Sequence, residues 1–172
     1  TCGTSIYCGN RIGAGTFGCL VRDAGGQLFG LSNNHVTGGC NYSDVTLPIV
    51  APGPLDVGPG AHDPFTIGHH VRVLPLAGGN PENVDVTQNA DAALFSIKDP
   101  GLVSSMQRAF FDTPAVVAAP VANMVVDKVG RTTGRTTGRI ISKSVGTERV
   151  EYIVPEYNYR GIIYFTEVWT VQ

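Results

Sequence analysis

Turn-forming residues cut this chain into pieces too short for long helices: 22 glycines and 11 prolines punctuate 172 residues. Between them stand brief apolar runs, such as Cys-Leu-Val-Arg at 19–22, Gln-Leu-Phe-Gly-Leu at 27–31, Thr-Ile-Gly-His-His-Val-Arg-Val-Leu at 66–74 and Ala-Ala-Leu-Phe-Ser-Ile at 92–97. Runs of this kind, bounded by turn residues, read as strands. Residues 104–111, Ser-Ser-Met-Gln-Arg-Ala-Phe-Phe, read as a helical turn or two, and nothing longer has helical periodicity. The expected fold class is therefore all-β. With 42% hydrophobic and 15% charged residues, the chain can bury a core and is not a disordered polymer. No apolar stretch approaches the ~18 residues of a membrane helix.

Two strand ends carry chemistry. His35 lies in Leu-Ser-Asn-Asn-His-Val at 31–36, where the run 27–31 gives way to Thr37, Gly38 and Gly39. Asp91 opens the run 92–97. A histidine works as a general base when an aspartate, hydrogen-bonded to its far ring nitrogen, fixes its tautomer and orientation. Loops at strand ends hold such groups on a rigid scaffold. His35 and Asp91 are thus the candidate catalytic residues, a base and its orienting acid.

Four segments in order carry a resemblance. They are Gly-Thr-Phe-Gly-Cys-Leu-Val-Arg-Asp at 15–23, residues 31–36, Asp-Ala-Ala-Leu at 91–94, and Gly-Arg-Thr-Thr-Gly-Arg-Thr-Thr-Gly at 130–138. Together they are similar to the bacterial branch of the trypsin-like (chymotrypsin-fold) serine peptidases. The resemblance implies a double β-barrel, with the first barrel complete and the second incomplete in this chain. It implies peptide-bond hydrolysis through an acyl-enzyme, on a peptide or protein substrate and without a cofactor or metal. It also implies a nucleophilic serine in a Gly-Asp-Ser-Gly motif, and none of the serines here has that setting. The serine is expected outside this chain, on a C-terminal segment that would also complete the second barrel. An open half-barrel leaves edge strands and half a core exposed. The rival expectation is a catalytically inactive, protease-like binding domain.

The first barrel, with His35 and Asp91, is expected over residues 1–110, and the crossover and partial second barrel over 111–172. Residues 43–64 hold five of the 11 prolines and read as a long surface loop. Four cysteines allow three pairings. Cys2 and Cys8 could close a small loop. A Cys19–Cys40 bridge would tie the histidine loop to a strand, as many extracellular members of the family do. Either bridge implies a secreted or periplasmic site, and free thiols a cytoplasmic one.

Other motifs fail their context. Gly-Ala-Gly-Thr-Phe-Gly at 13–18 fits G-x-G-x-x-G, but a strand and a hairpin follow where a dinucleotide site needs a helix. His69 and His70 point to opposite faces of a strand and do not easily ligate one ion, so they and His62 are expected to face solvent or make single hydrogen bonds. Thr1 as an N-terminal nucleophile lacks the helices of that hydrolase class. Seven of the 12 lysines and arginines lie between Lys128 and Arg160, which keeps a nucleic-acid-binding module as a second class of function. A net charge of −2 and a pI near 6.0 argue against it.

Overall fold

The structure is a computed structural model that describes residues 1–60 and 62–172. Seven strands come first: β1 (Ser5–Cys8), β2 (Gly15–Thr16), β3 (Cys19–Arg22), β4 (Leu28–Ser32), β5 (Pro48–Ala51), β6 (Phe65–Val73) and β7 (Ala93–Ile97). They form one antiparallel sheet in the order β2-β1-β5-β6-β7-β4-β3. Its two edges, β2 and β3, are separated in the chain by Phe17 and Gly18 alone. That short link brings the two edges side by side and curls the sheet into a barrel. Ser32 Oγ donates to Thr16 O at 2.8 Å between β4 and β2, and Gly18 N, donating to Leu31 O at 3.0 Å, extends the β3–β4 ladder.

Strand alternation fills the interior. In β1, Ile6 and Cys8 point inward while Ser5 and Tyr7 are half-buried on the other face. They meet Cys2, Phe17, Ile49, Ile67 and Phe95, and all seven are buried. Phe17 and Phe95 pack with ring centroids 5.3 Å apart and tilted by 57°, a favoured aromatic arrangement. Gly30 sits inside β4 because a Cβ there would stand 2.1 Å from the Phe95 ring. The glycine is a strand residue by close approach rather than by turn.

Two segments differ from expectation. The proline-rich stretch is not one loop, for β5 runs through it with Ile49 and Val50 buried. Pro48 is tolerated because it opens the strand, where its carbonyl still accepts from Gly9 N at 2.8 Å. Residues 104–111 make no helix. They form a tight hairpin of β8 (Met106–Gln107) and β9 (Phe111–Asp112). Tertiary anchors decide this: the Gln107 amide donates to Gly18 O at 3.0 Å and Thr113 Oγ1 at 2.8 Å, and Arg108 Nε donates to Gly3 O at 3.0 Å.

The C-terminal strands are β10 (Val125–Gly130), β11 (Gly134–Lys143), β12 (Glu148–Val154), β13 (Tyr159–Phe165) and β14 (Trp169–Val171). They give a three-stranded sheet, β10-β11-β14, and a separate β12-β13 hairpin. The hairpin docks on the first barrel through a second core of Cys40, Leu76, Val154 and Ile163, against which Tyr152, Tyr157, Tyr159 and Phe165 pack. The Asn89 amide ties it down, donating to Tyr164 O at 2.9 Å and Ala77 O at 3.0 Å.

All four cysteines are free thiols, so neither the Cys2–Cys8 nor the Cys19–Cys40 bridge is present. Cys19 packs on the first core and Cys40 in the second. Cys2 Sγ faces Ser104 O at 3.4 Å while Cys8 Sγ faces Thr37 O at 3.0 Å. No helix among the described residues is long and apolar enough to cross a membrane.

Candidate active site

β4 ends at Ser32, and the chain turns through a single π turn, Asn34–Gly38, that carries His35. The turn is held from inside. Asn34 is fully buried, and its amide donates to Asn41 Oδ1 at 2.7 Å and accepts from Asn41 N at 3.1 Å. The Asn41 amide donates in turn to Leu76 O at 2.8 Å. Gly39 closes the turn in the left-handed region, φ 55°, where a side chain costs more than in glycine. These amides pin the histidine turn to the segment leading to Asp91. Two strand ends 56 positions apart in the chain thereby become parts of one loop cluster.

The structure brings the two candidate residues together. His35 Nδ1 lies 2.6 Å from Asp91 Oδ2, and His35 N donates to Asp91 Oδ1 at 2.9 Å. Asn33 Nδ2 donates to the Asp91 carbonyl at 3.0 Å, and Tyr152 Oη to Oδ2 at 3.1 Å. Burial alone would raise the Asp91 pKa, but the hydrogen bonds and charge of His35, helped by Tyr152, hold it below the ordinary value. The carboxylate is therefore ionised at neutral pH and can only accept. Nδ1 must carry the proton, which leaves the Nε2 lone pair available as a base. The imidazole is 46% exposed and Asp91 15% exposed, so the acid is shielded while the base faces outward.

A pocket of about 370 Å³ opens at the imidazole, lined by Tyr7, His35, Tyr152, Val154, Glu151 and Glu156. A larger groove of about 1050 Å³, lined by Tyr42, Leu76, Asn80, Tyr159 and Tyr164, does not include His35. That groove is also lined by Cys40, whose thiol is pushed up to about 11 by burial and by the nearby Asp91 charge. It stays protonated and is no nucleophile at neutral pH.

The remaining sequence candidates separate from this site. His70 is buried, not solvent-facing, with its Nδ1 lacking a hydrogen-bond partner; burial, then Arg11, lowers its pKa and keeps it neutral. Of the basic segment, Arg131 pairs with Asp56, Arg135 with Asp127, and Arg139 donates to Asn123 O at 2.7 Å. Sequence reasoning missed Tyr152, which is 61 positions from Asp91 and carries no local signal. Asn33 and Asn34 lie inside the recognised motif, and the pairing of two amides before the histidine was the available clue.

A search of solved structures finds this chain similar to a protein described as a glutamic acid specific serine protease that uses a histidine triad in substrate binding. The TM-score is 0.53 at 17% identity, over 95% of this chain and 68% of that one. No family model and no curated protein matches the sequence. The fold is chymotrypsin-like. The chain contributes a seven-stranded sheet followed by a three-stranded sheet and a two-stranded hairpin. At this identity the likeness speaks for architecture, so the chemistry must be argued from the site.

Proposed function

We propose that this chain is the base-bearing part of a trypsin-like serine endopeptidase. The observation that carries the reading is the 2.6 Å contact between His35 Nδ1 and Asp91 Oδ2, with the other ring nitrogen turned to an open pocket. A serine from polypeptide beyond residue 172 supplies the nucleophile. Its Oγ attacks the scissile carbonyl while His35 Nε2 takes the hydroxyl proton. Asp91 stabilises the resulting imidazolium and stays ionised. The imidazolium then gives its proton to the leaving amine, and water, activated in the same way, releases the acyl group. Backbone amides beside the serine would stabilise the oxyanion, each typically worth roughly 10²–10³ in rate.

The test is a fluorophosphonate serine probe applied to the protease that carries this chain, read by intact mass under denaturing conditions. Labelling of a serine outside these 172 residues, abolished by His35→Ala, supports the reading. Absence of label from every species overturns it in favour of a protease-like binding domain. That second reading has one observation of its own: among the described residues, the side chain hydrogen-bonded to the imidazole is Asp91, and no serine is. A nucleic-acid role is weakened by the arginines already engaged in ion pairs.

A further inference from the structure

We propose that Tyr152 is a positioning residue for the His35–Asp91 pair, supplied from the opposite half of the molecule; the proposal deepens the protease reading and rests on it. Alternation along β12 turns Tyr152 and Val154 toward the second core and leaves Glu151 and Ile153 exposed. The Tyr152 ring is held on two sides. It meets the His35 ring with centroids 5.7 Å apart and the Phe165 ring at 6.4 Å. Phenylalanine would satisfy that packing equally well. What distinguishes tyrosine is the hydroxyl, and the hydroxyl donates to Asp91 Oδ2, the oxygen that also receives His35 Nδ1.

Four donors therefore fix the carboxylate plane: the His35 amide on Oδ1, and the imidazole, the phenol and, at 3.4 Å, the Asn33 side-chain amide on Oδ2. A half-buried carboxylate needs such donors to remain charged. The phenol is suited to the task because burial, reinforced by the Asp91 charge, raises its pKa and keeps it a donor at every working pH. The arrangement also couples the halves. His35, Asn33 and Asp91 come from the first barrel, and the phenol arrives only when the β12–β13 hairpin docks.

Tyr152→Phe removes the hydroxyl and keeps the ring. Other ionisable groups face the pair, namely Tyr7, Cys40, Glu151 and Glu156, so the readout must be resolved by residue. Carboxyl ¹³C NMR should find that the Asp91 titration moves to higher pH in Tyr152→Phe, and the His35 Nδ1 proton resonance should shift with it. Turnover of the protease should fall about tenfold at unchanged KM, the size of one hydrogen bond to a charged group. Phe165→Leu loosens the same packing and keeps the hydroxyl, and it should leave both NMR signals in place. Unmoved Asp91 and Nδ1 signals in a folded Tyr152→Phe chain overturn the proposal, as does an equal shift in Phe165→Leu. The two readings fail separately. If the serine probe labels nothing while Tyr152→Phe moves the Asp91 titration, the positioning role stands and the protease reading falls. If labelling depends on His35 while the titration stays put, the reverse holds.

Discussion

The closed barrel and the C-terminal sheets both carry apolar residues on their strands, yet those residues meet different fates. In the barrel, Ile6, Ile49, Ile67 and Phe95 come from four strands and are exposed by 2% or less. In the C-terminal sheets, β11 runs for ten residues and buries only Ile140, while Val125, Ile141, Val150, Ile153 and Val171 stay exposed. Valine, isoleucine and aromatic residues occur on the strands of both regions, so strand propensity alone does not account for the difference. What differs is closure: a sheet curled on itself gives every inward side chain a partner across the barrel, and an open hairpin does not. Val129 of β10 and Ile140 of β11 are also buried, but the buried cluster of the second half, Val154 and Ile163, is built with Cys40 and Leu76 from the first. The His35–Asp91 pair sits on the closed region, and the open region reaches it through Tyr152 of β12.

If the chemistry belongs to the closed barrel, its largest single-site effect should come from Asp91. Asp91→Asn in the active protease is expected to keep the fold and reduce turnover by about 10⁴, because an amide at that position favours the wrong tautomer of His35. Steady-state kinetics with a peptide substrate measure this, and a loss under tenfold removes Asp91 from the role. Next in size is the core. Phe95→Ala deletes a fully buried ring that packs on Phe17, and denaturant unfolding should find the chain about 3–5 kcal/mol less stable. A loss near 1 kcal/mol would mean that the barrel is no better packed than the open sheets, and the contrast would collapse.

The sequence disclosed the barrel strands where apolar runs were clean, as in β3, β4, β6 and β7, because each strand's inward face is written in its own residues. It disclosed β5 poorly, since four apolar or proline residues among five prolines look like a loop until β1 and β6 flank them. Residues 104–111 misled for a related reason: local preference pointed to a helical turn, while Gln107 and Arg108 are anchored to backbone more than 80 positions away. At the site, His35 and Asp91 were legible because each carries its chemistry in its side chain and sits at a strand end. Tyr152 was not, because its part depends on how one hairpin docks. The expected disulfides rested on spacing and family likeness, whereas Cys19 and Cys40 pack in different cores, and Cys2 and Cys8, though they share one core, face separate backbone carbonyls.

Docking itself can be weakened without touching either core. Arg131, in the turn between β10 and β11, makes a two-pronged ion pair with Asp56 in the segment leading to β6. Hydrogen bonds from Arg131 hold the Asp56 pKa down to about 2 from an ordinary 3.8. A depressed carboxylate stabilises the fold above its unfolded pKa, and that contribution is lost as pH falls through the folded value. Asp56→Asn should thus cost about 1 kcal/mol at pH 7, discounted because both side chains are partly solvated. The gap to the unsubstituted chain should shrink from about pH 4 downward and close near pH 2. Urea unfolding at pH 7 and at low pH measures both; a gap that widens in acid would reverse the sign and exclude this pair as the link.

The smallest effect should come from the open sheets. Ile153 lies on the outward face of β12, 58% exposed, one position from Tyr152. Serine there gives up little burial and some β propensity, so Ile153→Ser should change stability by less than about 0.5 kcal/mol. The same replacement at Ile163, fully buried on the neighbouring strand, removes a side chain that the barrel's Cys40 and Leu76 enclose, and it should cost at least 2 kcal/mol by the usual scale for core truncations, about 2–5 kcal/mol. Two isoleucines of one hairpin would then differ several-fold for one reason, which is whether the closed barrel supplies a facing surface. Equal costs at the two positions would mean that β12 and β13 are stabilised by their own pairing, and that Tyr152 is delivered to Asp91 by the hairpin's rigidity and not by its docking.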